Sequence, residues 1–297
     1  MASPLDFAIC STCGIQYPTE SIASCKICDD PRQYIPPGGQ TWTSLRALQS
    51  STTYTNTLTP DPSTPCLVSI QTTPKVGIGQ RALLCRTPRG NILWDCLTYL
   101  DDATVSQLNA LGGVQAIVIS HPHYFATNLH WAAAFGCPVF LSSEDGEWAV
   151  RRGEGQVFWE GRVLDPLAGT GPEEDAGVLA IKTGGHFPGS SVLWWKSQRK
   201  LLVADSVLVV PSGIYHVDRP PGTASFTFMW SYPNMIPLPP DEVHNIWKAV
   251  KQADFDDAHG AFVGMDARGN AKQRMLASAQ IFVRAMGYLD HPIHQEA

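Results

Sequence analysis

Two C-x-x-C pairs open the chain: Cys10 with Cys13, and Cys25 with Cys28, separated by eleven residues. Such knuckles supply the four thiolates that tetrahedral zinc takes in a structural site. Gly14 follows the first pair, where a tight turn brings backbone amides toward sulfur. The enclosed segment is polar and too short for a core, so metal binding would supply its folding free energy. Iron is the alternative occupant; a structural site favours zinc. A second set of residues lies further on. His121 and His123 stand two apart, directly after the apolar run VQAIVIS, where a turn at a strand end lets both rings converge on a transition metal. Alone, the pair fits ordinary loop histidines equally well. His186 in GGHFPGSS, Asp205 closing LLVADS and His259 in DDAHGAF add ligand-type side chains at successive strand ends. A carboxylate placed there needs a partner.

The elements that must position these residues follow from patterning. CLVSIQT, QRALLCRT and NILWDC read as consecutive strands, with PRG as the turn between the last two. VSQLNAL reads as a short helix, VQAIVIS as a buried strand, ATNLHWAAAF as a helix and CPVFLSS as a strand. VLAIKTG, SVLWWKS and KLLVADS are three more strands. PPDEVHNIWKAVKQA is an amphipathic helix with Val243, Ile246, Trp247 and Val250 on one face. FDDAHGAFVG is a strand and turn, and a last helix runs over residues 271–289. Residues 29–65 are rich in Pro, Gly, Ser and Thr and read as a linker entering the main domain. The expected division is a zinc-binding module with linker over residues 1–40 and a main domain over 41–297, an α/β arrangement with helices outside strand-rich halves.

Among the remaining candidates, His216 sits in the loop SGIYHVDRPPG beside Tyr215, with Trp230 in the aromatic stretch that follows. Such a loop shapes a substrate pocket or forms a covering flap. His130 reads as a surface residue of a helix, and Cys66, Cys85, Cys96 and Cys137 as small buried hydrophobes. His244, His291 and His294 receive no role.

The net charge is −6 with no Lys or Arg run, which argues against nucleic acid as the main partner. No stretch approaches the roughly 18 apolar residues of a membrane span. The opening MASPLDFAICSTCG lacks a basic region followed by an apolar one, so a cytoplasmic location is expected and the cysteine pairs read as metal ligands rather than disulfides.

The order strand–H-x-H, GH-x-PGS, LL-x-x-D and a late HG resembles the metallo-β-lactamase superfamily, over nearly all of residues 66–297. The resemblance implies a four-layer αββα sandwich, here carrying a small N-terminal zinc ribbon. It implies that His121, His123, His186 and Asp205 hold a metal, that His259 matches the last ligand of a second metal, and that Asp95 in ILWDC steadies a ligand histidine. The chain departs from the family's H-x-H-x-D-H: it reads His-Pro-His-Tyr-Phe-Ala, with Phe125 and Ala126 in place of the aspartate and third histidine. Both normally serve the second metal, so one catalytic zinc is expected beside one structural zinc, with iron possible at the catalytic site.

The expected function is hydrolysis of a small molecule by a metal-bound hydroxide, with Asp205 and His259 as catalytic groups and Tyr215, His216 and Trp230 as substrate contacts. A lactone, ester, cyclic amide or carbamate fits a single metal better than a phosphodiester. The alternatives are a mononuclear non-haem iron dioxygenase acting on a thiol or persulfide, through His121, His186 and Asp205, and a non-catalytic binding protein. The ribbon is a candidate surface for protein contacts. Emptying the cysteine site is expected to leave the main-domain metal in place.

Overall fold

In the first half of the chain, apolar runs become strands wherever β-branched and aliphatic residues cluster between turn residues. The structure, a computed structural model, describes residues 3–170, 177–215, 220 and 222–297. The chain forms two compact units: Met1–Glu160 with Pro166–Asp175, and Gly161–Asp165 with Ala176–Ala297.

In the first unit, β1 (Ile9–Cys10) and β2 (Trp42–Thr43) pair antiparallel. Helix α1 (Leu45–Ser50) follows, capped by the Ser44 hydroxyl, which accepts from the Ala47 amide. Then β3 (Thr55–Pro60), β4 (Leu67–Thr73), β5 (Ala82–Thr87), β6 (Gly90–Trp94), β7 (Ala116–Val118), β8 (Val139–Ser142) and β9 (Gln156–Trp159) lie side by side in that order as one sheet. The pairs from β3 to β6 are antiparallel and those from β6 to β9 parallel. Parallel neighbours require crossovers. Helix α2 (Asp102–Ala110) joins β6 to β7, and α3 (Asn128–Phe135) joins β7 to β8.

The linker expected over residues 29–65 is in part regular structure: it holds β2, α1 and β3, and β3 pairs with β4 over six residues. The Thr/Asn/Pro composition that reads as a linker is that of an edge strand. Thr55, Thr57 and Thr59 are exposed, and the β-branched residues suit the pleat. In the cysteine segment Ile9, Ile15 and Ile27 are buried. Its Ile9 is buried in a cluster with Leu45, Leu48 and Tyr99. Of the other cysteines, Cys85, Cys96 and Cys137 are buried as expected, while Cys66 is half-buried.

In the second unit, β10 (Val163–Leu164), β11 (Val178–Lys182), β12 (Ser191–Trp195) and β13 (Lys200–Leu202) precede two short ribbons, β14 (Leu208–Val209) with β15 (Phe226–Thr227) and β16 (Met229–Ser231) with β17 (Ile236–Pro237). Helix α4 (Pro240–Val250), β18 (Asp257–His259), β19 (Asp266–Ala267) and α5 (Ala271–Ala285) complete it. The sheet order is β10-β11-β12-β13-β18-β19, antiparallel except between β13 and β18. The α4 face read from sequence is buried with Leu201, Val203, Phe226 and Phe228, and with Met275, Ala279 and Val283 of α5. Helix α5 ends before residue 289, and Gly287 beyond it has φ of 93°.

Parallel pairing of β13 with β18 sets buried Lys200 opposite half-buried Asp257, with Nζ 2.6 Å from Oδ2 in an ion pair. Burial alone would raise the Asp257 pKa. The hydrogen bonds from Lys200 and the Gly269 amide outweigh it and hold the carboxyl below its usual value. Its stabilising contribution is therefore complete above the unfolded carboxylate pKa of about 3.9, and is lost as pH falls through the lower folded value. Asp257→Asn leaves the Lys200 ammonium buried without its counter-charge. We expect it to cost about 3 kcal/mol in urea unfolding at pH 7. A change within a few tenths of a kcal/mol would mean that water reaches Lys200.

Candidate functional site

The four N-terminal cysteines converge. Cys10 and Cys28 Sγ are 3.6 Å apart, as are Cys13 and Cys25, and the four sulfurs lie within 4.8 Å of one another. A disulfide needs about 2.05 Å, whereas four thiolates on zinc at about 2.3 Å sit about 3.8 Å apart. The spacing fits the metal. Local hydrogen bonds shape each knuckle: the Gly14 amide donates to Cys10 O and the Asp29 amide to Cys25 O. The Cys25 amide donates to Gln40 Oε1, and the Tyr17 hydroxyl accepts from the Lys26 amide. Burial pushes the Cys13 thiol up, and the neighbouring sulfurs push it further. A cation among the four relieves that repulsion.

In the same unit, β7 ends at Val118 and the chain turns. His121 is extended (φ −169°) and precedes the 3₁₀ turn Pro122–Tyr124, whose proline pre-sets the bend. The His121 and His123 rings are buried, with centroids 5.2 Å apart. Ser120 Oγ lies 2.9 Å from His121 Nδ1, and Asp95 Oδ1 accepts from the Ser120 amide at 2.8 Å. Asp95 thus supports the histidine turn through Ser120. It adopts φ of 60°, with its own amide on Val118 O. Phe125 and Ala126 are buried, at 1% and 2% exposure. Neither offers a ligand atom.

In the second unit, His186 sits in the turn between β11 and β12, and Asp205 three residues beyond β13. Gly185 before the histidine needs to be glycine: φ is 91°, and a Cβ would stand 3.0 Å from Ile246 Cδ1 and Leu238 Cδ1. The His186 amide donates to Ser206 Oγ, which donates to Gly184 O. His186 Nδ1 is 3.2 Å from Met229 O, a group that only accepts, so Nδ1 carries the proton. Nε2 then presents a lone pair, 3.8 Å from Asp205 Oδ2. Two donors on one tetrahedral ion with bonds of about 2.0 Å sit roughly 3.3 Å apart. The hydroxyl of half-buried Tyr232 donates to Asp205 O at 2.7 Å. Burial, with the Asp205 charge, keeps that phenol protonated well above its ordinary range.

His259 is the last residue of β18, fully buried, and faces Asp266 across the β18–β19 pair, with Nδ1 3.3 Å from Oδ1. Neither of its ring nitrogens makes a hydrogen bond among the described residues. Tyr215 is exposed, Trp230 is half-buried against the core of the second unit, and His216 lies outside the described residues. His130 on α3 is half-buried, not a surface residue; burial, aided by the Arg151 charge, lowers its pKa. His244 and His291 pair with Glu296 and Asp241, and His294 with Tyr288 O.

The supports of the histidines are what sequence reasoning missed. Ser120 and Ser206 each adjoin a candidate residue, but serine at such a place carries no periodic signal. Tyr232 stood in the aromatic stretch without a distinguishing mark. A main-chain carbonyl such as Met229 O has no signature at all.

Residues 78–249 match the family model of the metallo-beta-lactamase superfamily, more than half of the chain. The chain belongs to the metallo-β-lactamase superfamily. It is 37% identical over 288 residues to a Bacillus subtilis (strain 168) protein, "Uncharacterized protein YmaE", covering 95% of this chain and 97% of that one. The likeness therefore reaches beyond the superfamily domain. Among solved structures, VMB-1 matches with a TM-score of 0.55 at 10% identity, over 78% of this chain and 99% of that one. FIM-1 from Pseudomonas aeruginosa, in its mono-zinc form, matches at 0.51 and 14% identity, over 77% and 96%. The fold is the α/β sandwich of metallo-β-lactamase type with mixed sheets, and the Cys10–Cys13–Cys25–Cys28 cluster is compatible with a small zinc-binding module. No helix among the described residues is long and apolar enough to cross a membrane.

Proposed function

We propose that this superfamily member is a metal-dependent hydrolase of a small molecule, a lactone, ester, cyclic amide or cyclic carbamate, with a single metal in its main site. By the resemblance of their motifs to the superfamily's, His121, His123, His186 and Asp205 would hold the ion; three imidazoles and a carboxylate are a donor set that suits zinc. The observation that carries the reading is His186: its Nδ1 proton is committed to Met229 O, which leaves Nε2 toward Asp205 as a ligand. Zinc held there supplies Lewis acidity and lowers the pKa of a bound water to about 7.

The chain's own groups do the rest. Ser120 and Asp95 hold the His121 turn, and Tyr232 anchors the Asp205 backbone. Buried Phe125 and Ala126 supply no ligand for a second ion. Substrates with good leaving groups or strained rings need that ion least, whereas a phosphodiester normally calls for two. His259, with Asp266 beside it, is assigned the transfer of a proton to the leaving group. Tyr215, Trp230 and His216 are assigned substrate contacts. The cysteine cluster is assigned as a zinc ribbon and a surface for protein contacts. Its thiolates call for a reducing compartment, which favours the cytoplasm.

The test is a panel of lactones, aryl esters and cyclic carbamates offered to zinc-loaded protein, with oxygen followed in parallel. Ring opening or ester cleavage without oxygen uptake is expected. Turnover only with ferrous iron and oxygen would replace the reading with a dioxygenase. Metal analysis should give about two ions per chain, one per site, and His259→Ala should leave that count unchanged. A reproducible third ion, lost in His259→Ala, would mean that a second main-site position is rebuilt around that residue.

A further inference from the structure

The exit of the first cysteine knuckle, residues 13–16, is packed against the turn that carries the H-x-H pair. The Gln16 amide donates to Ala126 O at 3.2 Å. Ala126 adopts φ of 43°, a left-handed conformation that a non-glycine residue keeps only when its surroundings impose it. Gly14 lies directly on Thr98: a Cβ at Gly14 would land on Thr98 Oγ1, and one at Gly77 would stand 2.9 Å from Gly14 Cα. Residues 96–98 in turn carry the H-x-H segment. Thr127 Oγ1 donates to Leu97 O and Thr98 O, Trp131 Nε1 donates to Leu97 O, and Cys96 Sγ lies 3.8 Å from both Tyr124 O and Phe125 O. The Gln16 side chain is buried between Pro4 O and the Arg151 guanidinium. A continuous set of contacts within one compact unit therefore runs from Cys13 to the residues just after His123.

We propose that the metal of the Cys10–Cys13–Cys25–Cys28 cluster is a positioning element for the main site: by holding residues 14–16 against Ala126 and Thr98, it sets the backbone that aims His121 and His123. The two metal sites are then coupled, contrary to the independence expected from sequence. Ala126, standing where the superfamily motif has its third histidine, is the residue whose carbonyl accepts from Gln16 just after the first knuckle. The consequence for metal affinity rests on the reading of His121 and His123 as ligands; the consequence for the turn itself does not.

The amides of Tyr124, Phe125 and Asn128 report the turn, since they donate to His121 O, Pro122 O and Phe125 O. Their hydrogen exchange is to be measured in full-length wild type and in three variants: Cys13→Ser, Gly14→Ala, and Gly14→Ala combined with Thr98→Ala. Zinc affinity of the main site is read alongside by chelator competition. Gly14→Ala keeps all four cysteines but drives a methyl group into Thr98, and removing the Thr98 hydroxyl relieves part of that overlap. Both single variants should exchange faster at these amides and bind main-site zinc roughly tenfold more weakly, the scale of losing a ligand's supporting partner. The double variant should recover part of both. Wild-type exchange and affinity in Cys13→Ser that has lost its cysteine-bound metal would overturn the proposal. If that variant does not fold, wild-type behaviour of Gly14→Ala overturns it equally. Faster exchange in the variants, with no zinc bound through His121 and His123 in wild type, would keep the positioning role and remove the hydrolase reading instead.

Discussion

His186→Ala and Asp205→Ala should each abolish turnover and empty the main site, while the cysteine-bound metal remains. The loss should exceed the 10–100-fold that removal of an outer-shell partner typically costs, because each substitution deletes a proposed ligand. The fold should survive. His186 lies in the glycine turn after β11, and Asp205 beyond the end of β13, outside the layer formed by Leu201, Val203, Phe226 and the α4 face. His186 is fully buried and its loss leaves Met229 O without its donor, so thermal unfolding should fall by several degrees in His186→Ala and by less in Asp205→Ala. Metal analysis, circular dichroism and a turnover assay on the same preparations check the three parts. Undiminished turnover in a variant whose main-site metal is gone would remove that metal from the mechanism. Tyr232→Phe is the useful companion: it frees the Asp205 carbonyl from its hydroxyl donor without deleting a ligand, and should weaken the metal far less.

Removing the cysteine-bound metal should have the largest effect on stability. Structural zinc in small Cys/His modules contributes on the order of 10 kcal/mol of folding free energy. Here Ile9 of the module packs with Leu45, Leu48 and Tyr99 beyond it, so part of its order should persist when the ion is lost. Cys25→Ser should release one ion per chain, expose residues 11–24 to limited proteolysis and lower the unfolding temperature markedly. Thiol titration of the native, metal-replete protein should find these four sulfurs protected. Free reaction of all four would exclude the site.

The candidate ligands were legible because they sit where patterning changes. His121 and His123 follow an apolar strand, His186 interrupts a glycine turn, and Asp205 closes LLVADS; each is a polar residue at the end of a run that must be buried. The cysteine knuckles were legible for a different reason. Their spacing is local, and two C-x-x-C pairs have few other uses. Helices α4 and α5 could be read because one face of each is apolar at the helical period, the face the core takes up. The stretch over residues 29–65 was misread because an exposed edge strand such as β3 has no apolar alternation to report it; its evidence is the pairing with β4, a partner supplied from elsewhere in the chain.

By itself, then, the sequence determined which side chains are available for metal chemistry and that two ligands of the usual H-x-H-x-D-H motif are absent, since residue type and local spacing do not depend on how the chain folds. The tertiary structure alone decided how those side chains are held: Asp95 acting through Ser120 on His121, Met229 O fixing the proton on His186, Tyr232 bound to the Asp205 backbone, and the Gln16 amide bonded to Ala126 O. Each of these joins residues 20 or more positions apart, often through a main-chain amide or carbonyl that every residue possesses. A hydrogen bond to such a group leaves no mark on residue type, so only the packed chain can specify it.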